Sequence, residues 1–486
     1  MNYSIVRYIL GRILMVCGCL MLIPIAFCIA YDETYLNYLG FLIPSIIMII
    51  LGAISNKKKP SNNKILAREG FVIVGLSWFI ITLFGCLPFV ISREIPNFID
   101  AFFESVSGFT TTGASILNDV TALSHSMLFW RSFTNWLGGM GVLVFVLAFI
   151  PESKEGQSMH ILRAESPGPQ VGKLVSKMQV TSRILYLIYI VITLILFVIL
   201  WVGPDKKMDF FNSLTYSLST AGTGGFGVDP NSLESYTNFS QYVISIFMIL
   251  FGVNFSLFYL ILIGNIKDIM KNEELRLYLF ILTVSVLLIF VNLLDVYDTA
   301  EEAFRKSLFQ VTSILSTSGF TTANYDEWPV TAQSVIFVLM FFGSCAGSTA
   351  GGMKITRINI ILKSVLLKMK NALQPRKVET ITIDKKPVDE KTVDSVQNYF
   401  ITYFLLLIVC AFIVSFDNND FLTNISASLS CLSNIGPGFH NVGPYFNYNA
   451  FSGVSKIILS IEMIAGRLEL FPVLMLFRFK TWSTKI

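Results

Sequence analysis

Charge is scarce in this chain. Asp, Glu, Lys and Arg make up 14% of its 486 residues, whereas 53% are hydrophobic. A chain of this length with so few charges cannot cover itself with a solvated surface, which excludes a water-soluble protein. Histidine is rarer still: His125, His160 and His440 are dispersed and form no metal-binding cluster. The seven cysteines, at 17, 19, 28, 86, 345, 410 and 431, lie in or beside apolar segments, with neither a disulfide framework nor zinc-like spacing. Nucleotide motifs are also missing. Gly222 to Gly227 fits GxGxxG but lacks a βαβ context, and Gly168 to Lys173 resembles a P-loop with too few residues between its glycines and Leu174 in place of the hydroxyl residue. The chain therefore cannot itself use ATP. It also lacks the paired acids, or nucleophile with base, that an intramembrane enzyme requires. The net charge of +4 gives no reason to expect a nucleic-acid partner.

Long apolar runs are abundant. A span needs roughly 20 residues at about 1.5 Å each, and ten runs qualify: 9–30, 36–54, 70–92, 124–150, 181–203, 238–263, 276–294, 331–362, 396–416 and 450–478. The N-terminus and segments 55–69, 151–183, 264–276, 357–395 and 478–486 carry 27 of the 36 Lys and Arg. By the positive-inside rule these segments and both termini are cytoplasmic. The first run is too long for a signal-peptide core and lacks a cleavage site, so it reads as a retained helix.

Between the later runs one pattern recurs. Thr110-Thr111-Thr112-Gly113-Ala114, Ser219-Thr220-Ala221-Gly222-Thr223, Ser316-Thr317-Ser318-Gly319-Phe320 and Ser433-Asn434-Ile435-Gly436-Pro437 each lead through small or polar residues to a glycine. The four glycines, Gly113, Gly222, Gly319 and Gly436, are 109, 97 and 117 residues apart. Each pentapeptide follows a short apolar-and-serine segment and precedes a long run, so the unit reads span, re-entrant helix, pentapeptide, span. The expected fold is an all-α polytopic membrane protein with four such pseudo-repeats around one pore. Its limits are an N-terminal two-helix hairpin and loop (1–69), then repeats over 70–180, 181–274, 275–394 and 395–486. A re-entrant helix of roughly ten residues reaches about 15 Å, half-way across. Non-helical backbone at that depth is tolerated only when buried in protein or lining water. Acids near the outer starts of the short helices, Asp100, Asp209, Glu301, Glu302 and Asp420, read first as caps. A ring of inward carbonyls replaces the hydration shell of a monovalent cation without fixed charge.

These features resemble the superfamily of potassium transporters that comprises the Trk and Ktr membrane subunits and the plant and fungal HKT relatives. The two extra N-terminal spans, Thr110 to Ala114, Asn434-Ile435-Gly436-Pro437-Gly438 and the run Gly343 to Gly352 are similar to its TrkH/TrkG branch. The resemblance implies potassium as the transported ion, with no cofactor, bound by the main-chain carbonyls of Thr111, Thr112, Thr220, Ala221, Thr317, Ser318, Asn434 and Ile435. Gly113, rather than the serine of sodium-preferring plant relatives, favours potassium. The resemblance also implies residence in the bacterial inner membrane, a homodimer, and gating by a cytosolic TrkA-like nucleotide-binding subunit. A proton- or sodium-coupled potassium symporter is the alternative.

Two features suggest a gate. The run Gly343 to Gly352 holds only Gly, Ala, Ser, Thr and Cys. Its glycines Gly343, Gly347 and Gly351 have close-packing spacing, while Gly352 makes a fourth in a poor helix. The resemblance decides between packing and an intramembrane blocking loop in favour of the loop. Arg467 lies roughly 22 Å into the last run, a depth at which a charge faces a protein-lined or aqueous interior. Pairing with Glu462 or Glu469 is its structural reading, and a place beside the permeation path is the one the resemblance implies. Gly138, Gly139, Gly252 and Gly466 in the closing runs read as packing contacts or hinges.

Overall fold

The computed structural model describes residues 1–60, 66–141, 178–374 and 379–482. Most of the basic segment 151–183 therefore lies outside the described residues. Apart from loops and an isolated bridge between Phe342 and Met353, the described chain is helical except for one short hairpin, in which Thr382–Ile383 pairs antiparallel with Lys386–Pro387.

Among the described residues six helices are long and apolar enough to cross a membrane: Tyr3–Ala30, Tyr35–Asn56, Ala67–Ser92, Ser182–Val202, Glu273–Leu293 and Glu390–Asp417. The first two pack as a hairpin through small residues. A methyl group on Gly52 would come within 2.5 Å of the Gly11 carbonyl oxygen, so the glycines let the backbones approach. The other four helices stand where the four expected repeats would open. Those of repeats two to four keep about a third or less of their most apolar stretch buried (33%, 33% and 28%), leaving Phe280, Ile408 and Phe412 exposed as a lipid-facing surface. The helix of repeat one is 61% buried by the same measure, because the N-terminal hairpin and the C-terminal helices cover it.

The closing segments differ from the expected unbroken spans. His125–Gly139 ends at Gly139, two residues before the described chain stops. Asn238–Gly252 and Phe255–Leu262 meet at 92° across a two-residue break. Val330–Leu339 and Ile355–Leu373 are separated by a loop, and Gly453–Arg467 is separated from Phe471–Leu476 by Leu468, Glu469 and Leu470, the last two at positive φ. Continuous apolarity concealed these breaks, since residues buried in protein are apolar whether helical or not.

The four short helices are Phe98–Phe109, Phe210–Gly222, Ala300–Leu315 and Phe421–Ser433. Two of the five acids read as caps act as caps. Asp209 accepts from the Asn212 N–H at 2.7 Å and Asp420 from the Thr423 N–H at 3.0 Å, while Asn97 and Thr299 cap the other two. Asp100 pairs with Lys456 at 2.6 Å. Carboxylates also fasten three closing helices to the loops preceding their own short helices. Glu94 accepts from Ser124 N–H at 2.9 Å, Asp205 from Thr237 N–H at 2.8 Å, and Asp417 from Ser452 N–H at 2.9 Å.

Candidate cation path and gate

Each short helix ends in the same way. The N–H groups of Thr112, Gly224, Ser318 and Ile435 reach back 2.9 Å to the carbonyls of Ser107, Ser219, Ser313 and Ser430. This is the closing bond of a left-handed helix stop. The residues just before them, Thr111, Thr223, Thr317 and Asn434, have φ of 54 to 56°. Two residues beyond, Gly113, Gly225, Gly319 and Gly436 again have positive φ, from 72 to 102°. Positive φ thus recurs at every second residue, and glycine takes the second left-handed turn without strain. Threonine does not, so three of the first turns hold β-branched residues in an unfavourable conformation.

These strands form a ring. A methyl group on Gly113 would lie 2.3 Å from the Gly224 oxygen, on Gly225 2.0 Å from Ser318, on Gly319 1.9 Å from Ile435, and on Gly436 2.6 Å from Thr112. Each glycine thus faces the carbonyl that precedes the glycine of the next repeat, and the fourth returns to the first. A second ring lies beyond it in the chain. Arg131 donates to the Gly227 carbonyl at 3.2 Å, Leu233 N–H to Thr321 at 3.0 Å, the Tyr325 hydroxyl to Gly438 at 2.7 Å, and Tyr448 N–H to Ser115 at 2.8 Å. Arg131 is fixed by a buried ion pair with Glu104 at 2.8 Å and lies over the Phe226 ring at 4.0 Å. Neither charge was singled out in the sequence, where each looks like an isolated polar residue in an apolar run.

Repeat two corrects the expected register. Thr220, Ala221 and Gly222 lie in the last turn of the short helix, and a methyl on Gly222 would strike the Asn135 carbonyl at 2.2 Å. The ring residues there are Thr223, Gly224 and Gly225, three positions later. Glycines at 222, 224, 225 and 227 admit two alignments, and the helix runs one turn further than the pentapeptide pattern implied. In the other repeats Thr111, Thr112, Gly113, Thr317, Ser318, Gly319, Asn434, Ile435 and Gly436 stand together in the ring.

The run Gly343 to Gly352 is non-helical and lies beside the ends of the short helices. Its base closes where Gly343 N–H donates to the Met353 carbonyl at 2.8 Å. The Ser344 hydroxyl donates to Leu315 at 2.9 Å, Gly351 N–H to Thr317 Oγ1 at 2.7 Å, and a methyl on Gly351 would lie 2.6 Å from the Ser433 oxygen. Across the bend of repeat two, Cys345 N–H donates to Gly252 and Phe255 N–H to Gly347, each at 3.1 Å. Gly347 and Gly352 have positive φ.

Arg467 reaches this loop through Nη1 to the Thr349 carbonyl at 2.7 Å, while Nη2 donates to the Gly138 and Gly139 carbonyls at 2.5 Å. The acids considered as its partners have other contacts: Glu462 accepts from Ser428 at 2.6 Å, and Glu469 pairs with Arg357, which lies over the Tyr399 ring at 3.9 Å. Glu274 is a loop contact that the sequence did not reveal. It accepts from Ala346 N–H at 2.6 Å, Thr356 N–H at 3.2 Å and the Thr356 hydroxyl. Lys354 donates to the Ala350 carbonyl. Among the glycines of the closing segments, Gly252 stands at the bend, whereas Gly138 and Gly466 would place a methyl 1.8 Å from Phe109 and 2.0 Å from Leu432 oxygens, so packing excludes a side chain there. Among the described residues no group of His, Cys, Asp and Glu could hold a metal ion.

Residues 40–486 match the family model TrkH, described as a cation transport protein. The chain is 34% identical over 437 residues to the Trk system potassium uptake protein TrkH of Escherichia coli K12, covering 88% of each chain. It is 31% identical over 491 residues to the Trk system potassium uptake protein TrkG of the same organism, covering 99% of each. The crystal structure of the potassium transporter TrkH from Vibrio parahaemolyticus superposes with a TM-score of 0.88 at 29% identity, covering 99% of this chain and all of that one.

Proposed function

This chain belongs to the TrkH family of cation transport proteins, and on that premise we propose that it takes up potassium across the bacterial inner membrane through the glycine-lined ring. The proposed ligands are the main-chain carbonyls of Thr111, Thr112, Thr223, Gly224, Thr317, Ser318, Asn434 and Ile435. The observation that carries this reading is the cyclic meeting of each ring glycine with the next repeat's carbonyl. Four backbones held that close place oxygens around one axis, and the short helices direct their negative ends toward it.

Entry of one positive charge down 100 mV supplies about 2.3 kcal/mol, enough for roughly fifty-fold accumulation, so uptake needs no ATP site in the chain. The loop from Gly343 to Gly352, held by Arg467, is the proposed gate. Its contacts with Thr317 and Ser433, at the feet of two short helices, support that role. The repeat limits given above, cytoplasmic termini, a homodimer and a cytosolic TrkA-like nucleotide-binding partner complete the proposal.

Reversal potential in proteoliposomes under mixed potassium and sodium gradients tests it. Flux that reverses near the potassium equilibrium potential and ignores a proton gradient is expected. A reversal that follows the proton or sodium gradient would instead identify a coupled symporter.

A further inference from the structure

We propose that the side-chain oxygens of Thr111, Thr317 and Asn434 form a cation site at the inner end of the ring, and that Gly351 of the loop competes with the ion for it. The inference rests on the potassium path proposed above. Each of these residues occupies the left-handed turn at the foot of a short helix, one residue before the carbonyl that faces a neighbouring glycine. Thr111 Oγ1 and Asn434 Oδ1 are buried without a hydrogen-bond partner, and neither residue has exposed surface. Buried oxygens are normally satisfied, so two orphans beside one path point to a ligand that brings positive charge.

The Asn434 amide has a fixed direction. Its Nδ2 donates to Thr112 Oγ1 at 3.0 Å and to the Met463 carbonyl at 2.9 Å. The oxygen is left between the loop and the last closing helix, where a methyl on Gly351 or on Gly466 would lie 3.1 Å from it. The same Gly351 donates its N–H to Thr317 Oγ1 at 2.7 Å. One loop residue thus lies against side-chain oxygens of two adjacent strands. At the fourth corner the Thr223 hydroxyl donates to the Gly222 carbonyl at 2.7 Å and keeps its lone pairs.

Neutral hydroxyl and amide oxygens suit a monovalent cation, since none of Thr111, Thr317 and Asn434 carries a carboxylate to repay the dehydration of a divalent ion. With the loop seated, the Gly351 N–H presents the positive end of its dipole to Thr317 Oγ1 and its Cα lies against Asn434 Oδ1, so the loop and a cation at these oxygens exclude one another. Potassium arriving from the loop side therefore holds the loop away, and withdrawal of potassium lets it return.

Hydrogen–deuterium exchange of the full-length protein tests this without relying on flux. Exchange over residues 343–353 is compared in potassium chloride and in N-methylglucamine chloride of equal ionic strength. Faster exchange in potassium is expected, with a half-maximal concentration that Thr111→Val raises about tenfold and Thr111→Ser leaves near the parent value. Asn434→Asp, which adds charge at the same position, lowers it and serves if the valine variant does not fold. Loop exchange that is equal in both salts, or half-points unmoved by these substitutions, would overturn the competition. Potassium-selective reversal potentials together with a salt-insensitive loop would refute this site alone, whereas unselective flux would refute the potassium path.

Discussion

Arg467 Nη1 donates to the carbonyl of Thr349 at 2.7 Å, so the end of the last closing helix holds the broken span of the third repeat. The same guanidinium binds the Gly138 and Gly139 carbonyls, tying the first repeat to the fourth. A hydrogen bond to a charged group contributes about 1.5–3 kcal/mol. Arg467→Ala, by releasing the loop, should raise rubidium uptake in proteoliposomes about tenfold or more. Unchanged uptake in a folded variant would remove Arg467 from the gate.

Glu274 holds the two sides of the loop together at Ala346 and Thr356. Glu274→Ala leaves those N–H groups without their acceptor and should also raise uptake, while Glu274→Gln, which keeps an oxygen, should stay nearer the parent. The neighbouring residue extends the contact toward the short hairpin, where Asp384 accepts from Glu273 N–H at 2.8 Å. Asp384→Ala should therefore produce a smaller increase of the same sign. Equal uptake in all three variants would show that this helix does not restrain the loop.

The register of repeat two can be tested by a pair of substitutions. Gly225 has φ of 72° and faces the Ser318 oxygen, so Gly225→Ala adds roughly 1–2 kcal/mol of left-handed strain and a collision inside the ring. Reversal potentials of this variant should show lost discrimination between potassium and sodium. Gly222→Ala collides with Asn135 outside the ring and should lower the yield of folded protein while the surviving molecules remain selective. The opposite pairing would restore the alignment on Gly222.

Asp326 lies in the loop after the third ring strand. Burial raises its pKa from 3.8 to about 6, against the lowering effect of the His440 N–H at 3.1 Å; His440, Glu327 and Asp420 are the charged or titratable groups that face it. A raised value means that the folded protein holds this proton more tightly than the unfolded chain. Its stabilising contribution is complete below about pH 4 and is lost as pH rises through about 6. Thermal midpoints in detergent should show this decline, and Asp326→Asn should flatten it. Identical pH profiles would place the sensitivity elsewhere.

Much of this architecture was legible because its constraints are local. A hydroxyl-rich segment ending in glycine is suited to a helix stop that needs positive φ, and Gly113, Gly319 and Gly436 of the recurring pattern have it. The composition of Gly343 to Gly352 likewise disfavours a helix. Repeat two was ambiguous because Gly222 and Gly225 fit the same pattern; the decisive quantity, the length of the short helix, depends on its packing against Asn135. Glu274 was invisible for another reason. An acid at the start of an apolar span normally reads as an interfacial cap, and only the folded chain brings Ala346 and Thr356 to it. The breaks in the closing helices were hidden because hydropathy records burial and says little about direction.

The carboxylate clasps of the closing helices act over short stretches of chain. Glu94 to Ser124, Asp205 to Thr237 and Asp417 to Ser452 span 30, 32 and 35 positions, whereas Asn434 meets Thr112 across 322. During synthesis from the N-terminus, the first two clasps can fasten while the remainder is still on the ribosome. The circle itself has no such option, because its last arc is the last to be translated, and a chain truncated before Asn434 leaves the first arc facing a gap.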